Sequence, residues 1–274
     1  MLKTTDKGES HMGESIVITS GKGGVGKTTL SANLGAALAL MGKKVLLVDT
    51  DIGLRNLDVV LGLENRIVYD LVDVCEGKCE FKKAAIRDKR FEGLFLIPAS
   101  QSSDKNAITP LQMKNLIRKA KEEYDYIIID CPAGIEQGFE NAVAGADRAI
   151  VVAVPEVSSV RDADRIIGLL EKHEIADIKL VVNRIRQKMV DSGNMLSIED
   201  MLDILAVGLI GAVPDDESII VAANNGSPAV TDTRSKAGEA YRNIAKRVVG
   251  EHVDLIDLSE KKGVFARLLG VMKK

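Results

Sequence analysis

The chain runs to 274 residues with a formal net charge of −3, and 46% of its residues are hydrophobic against 28% charged. That is the balance of a folded globular chain long enough to bury a sizeable core. The acidic net charge argues against wholesale coating of nucleic acid, which needs a basic surface.

Taken in chain order, residues 1–12 are polar and carry no signal peptide. Ser10-His11-Met12 resembles a cloning-site scar, and the stretch is set aside as an expression tag. Residues 15–20 (SIVITS) make a short β-branched run that stops at Gly21, as a buried strand does. After a glycine-rich loop, residues 27–41 are rich in Ala and Leu and read as a helix closing at Gly42. Residues 44–49 (KVLLVD) are again a compact apolar strand, this one ending on a carboxylate. The opening is therefore a βαβ unit. Strands follow at 94–98, 126–130 (YIIID), 148–154, 178–183 and 207–213, with helices at 110–123, 158–173 and 197–205 between them. A final packing helix is expected over 231–249, where Ala237, Ala240, Tyr241, Ile244, Ala245 and Val248 recur at helical spacing.

Strands that are continuously apolar rather than alternating are covered on both faces. The predicted fold is α/β, a mostly parallel twisted sheet with helices on both faces, of the P-loop NTPase kind, plus a C-terminal amphipathic helix. The expected organisation is one ATPase domain over 13–250, a linker over 251–259 and the terminal helix over 260–274. Cys75-x3-Cys79 has no matching second pair and Cys131 stands apart, so the cysteines read as reduced thiols rather than as a metal or disulfide framework. No apolar run is long enough to span a bilayer.

Residues 21–28 (GKGGVGKT) satisfy G-x-x-x-x-G-K-[ST], follow a strand and open a helix. Glycines let backbone N–H groups converge on phosphate oxygens with no Cβ in the way, and the helix start adds its positive end. The candidate nucleotide-binding run is Gly21, Lys22, Gly23, Gly24, Val25, Gly26, Lys27, Thr28 and Thr29. Within it Lys27 supplies a cation to the β- and γ-phosphates, and the Thr28 hydroxyl is placed to ligate Mg²⁺. Lys22 is either a solvated surface lysine or a second cation reaching a phosphate from another direction. Asp49, Asp51 and Asp130 lie at or just past the carboxyl ends of strands, where parallel sheets bind ligands. An aspartate there orders Mg²⁺ or orients the attacking water, although Asp49 or Asp51 would also serve simply to cap a turn.

The terminal stretch 260–274 (EKKGVFARLLGVMKK) carries five basic residues and one acidic. Wound as a helix, it puts Val264, Phe265, Leu268, Leu269, Val271 and Met272 on one side, bordered by lysines. That pattern fits a helix lying in a membrane interface; the alternative is a terminal helix docked on its own domain.

The loop at 21–28 and the segments 51–58 (DIGLRNLD), 130–136 (DCPAGIE) and 156–165 (EVSSVRDADR) resemble, in order and spacing, the deviant P-loop ATPases of the MinD/ParA family. The resemblance implies a Mg²⁺-dependent ATPase that binds ATP and ADP and forms a homodimer around ATP. It further implies a cytoplasmic protein, associated peripherally with the inner face of the cell membrane in the ATP form, that helps place the division site. The partners implied are a division inhibitor of the MinC type, a MinE-type or other topological regulator and an anionic membrane surface; no specific nucleic acid is expected. Lys22 would cross the dimer to the partner's phosphates. Asp51 would lie in the first switch, near Asn56, and position the hydrolytic water; Asp130 would be the magnesium-side carboxylate opening the second switch. Asn183 would contact the adenine amino edge, with Arg184, Pro214 and Asp215 around the base. Asp162 and Asp164 would face partner proteins, unless they are simply a solvated helix face. A flagellar or polar-positioning ATPase shares these motifs, but DIGLRNLD and VSSVRDADR favour division-site placement. A ParA-type DNA-partitioning ATPase would need a basic DNA-binding face and no membrane tail. An iron–sulfur carrier would need paired cysteines that could bridge a cluster between subunits, and there is no C-x-x-C.

Overall fold

The computed structural model describes residues 12–104, 106–135 and 137–258. The proposed tag up to residue 11, Glu136 and the amphipathic stretch with Val264, Phe265, Leu268, Leu269 and Met272 lie outside the described residues. The strands are β1 (Glu14–Thr19), β2 (Val45–Asp49), β3 (Ile86–Arg87), β4 (Leu94–Ile97), β5 (Tyr126–Asp130), β6 (Arg148–Ala153), β7 (Asp177–Ile185) and β8 (Gly208–Pro214). The helices are α1 (Lys27–Leu40), α2 (Leu57–Val60), α3 (Leu71–Cys75), α4 (Phe81–Ala84), α5 (Pro110–Ala120), α6 (Gln137–Val143), α7 (Val157–Lys172), α8 (Gln187–Asp191), α9 (Ile198–Leu205), α10 (Ser218–Asn224) and α11 (Lys236–Val248).

The strands form one sheet in the order β3-β4-β2-β5-β1-β6-β7-β8. Its pairs are parallel except for the short β3, which runs antiparallel to β4 at one edge. Successive strand residues point to opposite faces, so each strand feeds two cores. Val17, Leu46, Val48, Ile127 and Ile129 pack with α5, α6, α7 and α9 on one face. Ile16, Ile18, Val45, Leu47 and Ile128 pack with α1 and α11 on the other. This double burial is why the strands read as unbroken apolar runs. Gly35 lets α1 lie close to β2, since a Cβ there would stand 2.6 Å from Leu47 Cδ2.

The expected helix over 231–249 starts later than predicted. Residues Ala229–Thr231 make a 3₁₀ turn, and α11 begins only after Ser235, whose hydroxyl accepts the Gly238 N–H. Side-chain capping fixes that start where apolar spacing could not. β7 is longer than predicted, and β3 and several short helices were not predicted at all. Residues 251–258 run back along α11 instead of leaving the domain at once. Arg247 donates to Val253 O from Nε (3.0 Å) and Nη2 (2.8 Å) and to Ile210 O from Nη1 (3.0 Å). Lys236 Nζ donates to Asp257 O at 3.3 Å. Ile256 packs against one core and Leu258 against the other, so this strap passes the β8 edge of the sheet. Among the described residues no helix is long and apolar enough to cross a membrane.

Arg247→Ala removes a charged donor from two carbonyls and should lower stability by about 1.5–3 kcal/mol. Amides in 251–258 should then exchange faster with solvent, read by hydrogen exchange; unchanged exchange would show that the strap is held without Arg247.

Candidate active site

The glycine loop between β1 and α1 is shaped by two close approaches. A Cβ on Gly21 would lie 2.3 Å from the main-chain oxygen of Asp162 on α7, and one on Gly26 would lie 2.3 Å from Asn183 Nδ2. Gly26 also has φ of 104° and Gly24 has φ of 76°, conformations that side chains rarely adopt. Gly26 caps α1 without a side-chain hydrogen bond, and the first turn of α1 contains no acidic residue. The helix start therefore points its N–H groups and positive dipole end at the loop with no carboxylate from this turn to neutralise them.

Lys27 is only 7% exposed. Its Nζ donates to Ser20 Oγ at 3.0 Å, while Ser20 Oγ donates to Lys22 O at 2.7 Å, tying the ammonium to the loop backbone. Behind it, Ser31 Oγ donates to Asp130 Oδ1 at 2.9 Å. Burial pushes the Asp130 pKa above the ordinary carboxylate range, against the pull of the Thr28 and Ser31 hydroxyls and the Lys27 charge. Thr28, Asp130 and Lys27 are thus brought together. Asp51 lines a concavity of about 260 Å³ with Thr50, Leu54, Pro132, Ala133 and Phe139, between the loops that follow β2 and β5. Asn56 is exposed at the start of α2.

Lys22 is exposed and lies 3.7 Å from Glu156. Both partners are about half exposed, so the pair contributes little and is cheap to break. On the other side of the loop, Asn183 Nδ2 donates to Val25 O at 2.7 Å and its Oδ1 accepts the Arg184 N–H at 3.0 Å. Asn183 thus braces the phosphate loop as well as lining a cavity of about 470 Å³ with Gly26, Thr29, Arg184, Asp215 and Tyr241. Arg184 takes φ of 57°, and Arg186 Nε pairs with Asp215 Oδ2 at 2.6 Å. Pro214 ends β8, just before Asp215 and beside this cavity rather than among its lining residues. Asp164 is exposed on α7, whereas Asp162 is half-buried with its main chain against Gly21.

Sequence reasoning missed Ser20, Ser31, Thr50 and Arg186. Ser31 carried a usable signal, being four residues after Lys27 on one helix face. Ser20 carried none, because its contact with Lys27 exists only once the loop has closed. Among the described residues no group of three or more His, Cys, Asp and Glu forms a cation cage. Mg²⁺ is commonly held by one or two protein groups together with substrate phosphates, and the paired Thr28 hydroxyl and Asp130 carboxylate have the oxygen chemistry of such groups.

The family model described as an AAA domain matches residues 13–183. The chain is 60% identical over 260 residues to the septum site-determining protein MinD of Bacillus subtilis (strain 168), covering 94% of this chain and 97% of that one. Its fold matches the Aquifex aeolicus chain in the MinC:MinD cell division protein complex with a TM-score of 0.84 at 50% identity, covering 90% of this chain and 100% of that chain. It also matches the septum site-determining protein of Pyrococcus horikoshii OT3 complexed with Mg-ADP, with a TM-score of 0.79 at 33% identity over 87% of this chain and 97% of that one. Gly26→Ala should cost about 1–3 kcal/mol through backbone strain and displace Asn183; a melting temperature equal to wild type would contradict the brace described here.

Proposed function

Since the chain belongs to the septum site-determining MinD family of ParA/MinD P-loop ATPases, we propose that it hydrolyses ATP in a membrane cycle that places the division site. The observation that carries this reading is the buried Lys27, tied by Ser20 to a left-handed glycine loop, with Thr28, Ser31 and Asp130 gathered behind it.

In this reading the loop N–H groups and Lys27 bind the β- and γ-phosphates, and Thr28 and Asp130 hold Mg²⁺. When bound, Mg²⁺ neutralises charge on the phosphate oxygens. Asp51 orients the attacking water from the loop after β2, with Asn56 on the same loop. Asn183, Arg184 and Asp215 surround the base, with Pro214 beside them. Lys22 leaves its weak pair with Glu156 and reaches the phosphates of a second copy, so that ATP is sandwiched in a dimer. The relative in the MinC:MinD complex supports recruitment of a MinC-type division inhibitor, which we assign to α7 around Asp162 and Asp164. A MinE-type or other topological regulator then acts on the dimer.

The membrane half of the cycle rests on the 260–274 sequence. Each Lys or Arg near an anionic leaflet adds about 1 kcal/mol, while ordering each residue of the tail costs roughly 1–2 kcal/mol. One tail is marginal, whereas two tails on one dimer gain roughly 10²–10⁴ in avidity.

Lys27→Ala should lose ATP binding, measured by calorimetry; wild-type turnover in that variant would remove the phosphate assignment. Asp51→Ala should bind ATP but turn it over at least tenfold more slowly, accumulating as a dimer; a variant that stays monomeric with ATP defeats the switch role. Deleting residues 261–274 should spare nucleotide binding and abolish ATP-dependent sedimentation with anionic vesicles. Undiminished sedimentation would rule the tail out as the anchor.

A further inference from the structure

The loop that carries Asp51 and Asn56 starts and ends on one buried side chain. Asp49, the last residue of β2, is fully buried. Its Oδ1 accepts the Asp51 N–H at 2.9 Å and its Oδ2 accepts the Leu57 N–H at 3.2 Å. Between these two anchors the chain makes a tight excursion that uses φ of 98° at Gly53 and 47° at Arg55. Its root is also latched to the neighbouring strand, where the Thr50 hydroxyl donates to Asp130 O at 2.6 Å. Further out, the Gly53 N–H donates to Ser100 O at 2.8 Å.

We propose that Asp49 is a positioning residue for ATP hydrolysis, its two carboxylate oxygens setting both ends of the 51–57 loop and so the place of the Asp51 side chain. This rests on the ATPase reading given above. Asp49 need touch neither nucleotide nor water. It faces Asp130 across the β2–β5 pair, so the bracket also registers the loop against the strand end that bears the metal-side carboxylate. A side chain with only one acceptor oxygen cannot serve both N–H groups. Asn in that place turns its amide donor toward one of them, which frees one end of the loop with almost no change in volume.

The test uses the full chain and compares wild type, Asp49→Asn and Asp51→Ala. In wild type, the Asp51 and Leu57 amides should exchange at least tenfold more slowly than that of Asn56, whose N–H makes no hydrogen bond among the described residues; Leu54 and Arg55 are no reference, since both donate to Asp51 O. In Asp49→Asn one or both should lose that protection, ADP affinity should stay within about threefold, and single-turnover ATP hydrolysis should fall at least tenfold. Asp51→Ala should lose hydrolysis but keep the Leu57 amide protected, separating loss of the water-orienting group from loss of the bracket. Asp49→Asn hydrolysing ATP at the wild-type rate overturns the proposal, as does Asp49→Asn losing ADP binding and melting early, which would make Asp49 a general fold residue. If that variant does not fold, the wild-type exchange decides, since fast-exchanging Asp51 and Leu57 amides also overturn it. A wild-type chain that binds ADP but hydrolyses no ATP would instead remove the ATPase reading and leave the amide bracket standing.

Discussion

Asp49 and Asp130 end neighbouring parallel strands at the same register, so two carboxylates stand side by side almost wholly out of water. Like charges in such surroundings repel strongly. Burial first, and then the Asp130 charge, push the Asp49 pKa up. The fold keeps both groups by surrounding each with donors: the Asp51 and Leu57 N–H groups at Asp49, and the hydroxyls of Ser31 and Thr28 with the Lys27 ammonium at Asp130. All three of the latter come from the first turns of α1. That helix can approach only because Gly35 clears Leu47 on one side and Gly26 clears Asn183 at its start. The buried Asp130 carboxylate thus depends on these glycines, which let α1 bring its donors within reach.

The same packing ties the phosphate loop to the outer surface. Gly21 touches the main chain of Asp162, and Lys22 pairs with Glu156 at the start of α7. A loop that shifts when phosphates arrive therefore moves against α7 with no intervening side chain to absorb the change. Close-packed contacts of this kind transmit small displacements instead of damping them. If α7 is where a partner docks, its first turns report directly on the loop.

Much of this was legible in the sequence, for reasons specific to each residue. Strands buried on both faces had to be unbroken apolar runs, so β1, β2, β5 and β6 were found close to their ends. The loop glycines, Lys27, Thr28 and Asp130 followed from what phosphate and Mg²⁺ demand of local chain geometry. What escaped was long-range. The start of α11 depends on Ser235, which also donates to Asp216 Oδ2 nineteen residues earlier at 3.1 Å. The second use of Asn183, bracing Val25 across 158 positions, leaves no periodic trace. The short β3 has only two residues and needs β4 beside it to exist. Asp49 was visible as an acidic strand end, but its two backbone partners become evident only when the loop folds back to Leu57.

The strap at 251–258 bears on where the C-terminal segment can act. α11 begins beside Asp216, next to the cavity lined by Asn183 and Arg184, and ends near Arg148 at the start of β6, at the opposite end of the strands; the strap then returns until Asp257 reaches Lys236 in the first turn. The chain thus leaves the described fold at the nucleotide end rather than at the far end. By holding Val253 and Asp257, Arg247 and Lys236 thereby fix the end of the described chain at the same end of the sheet as the phosphate loop.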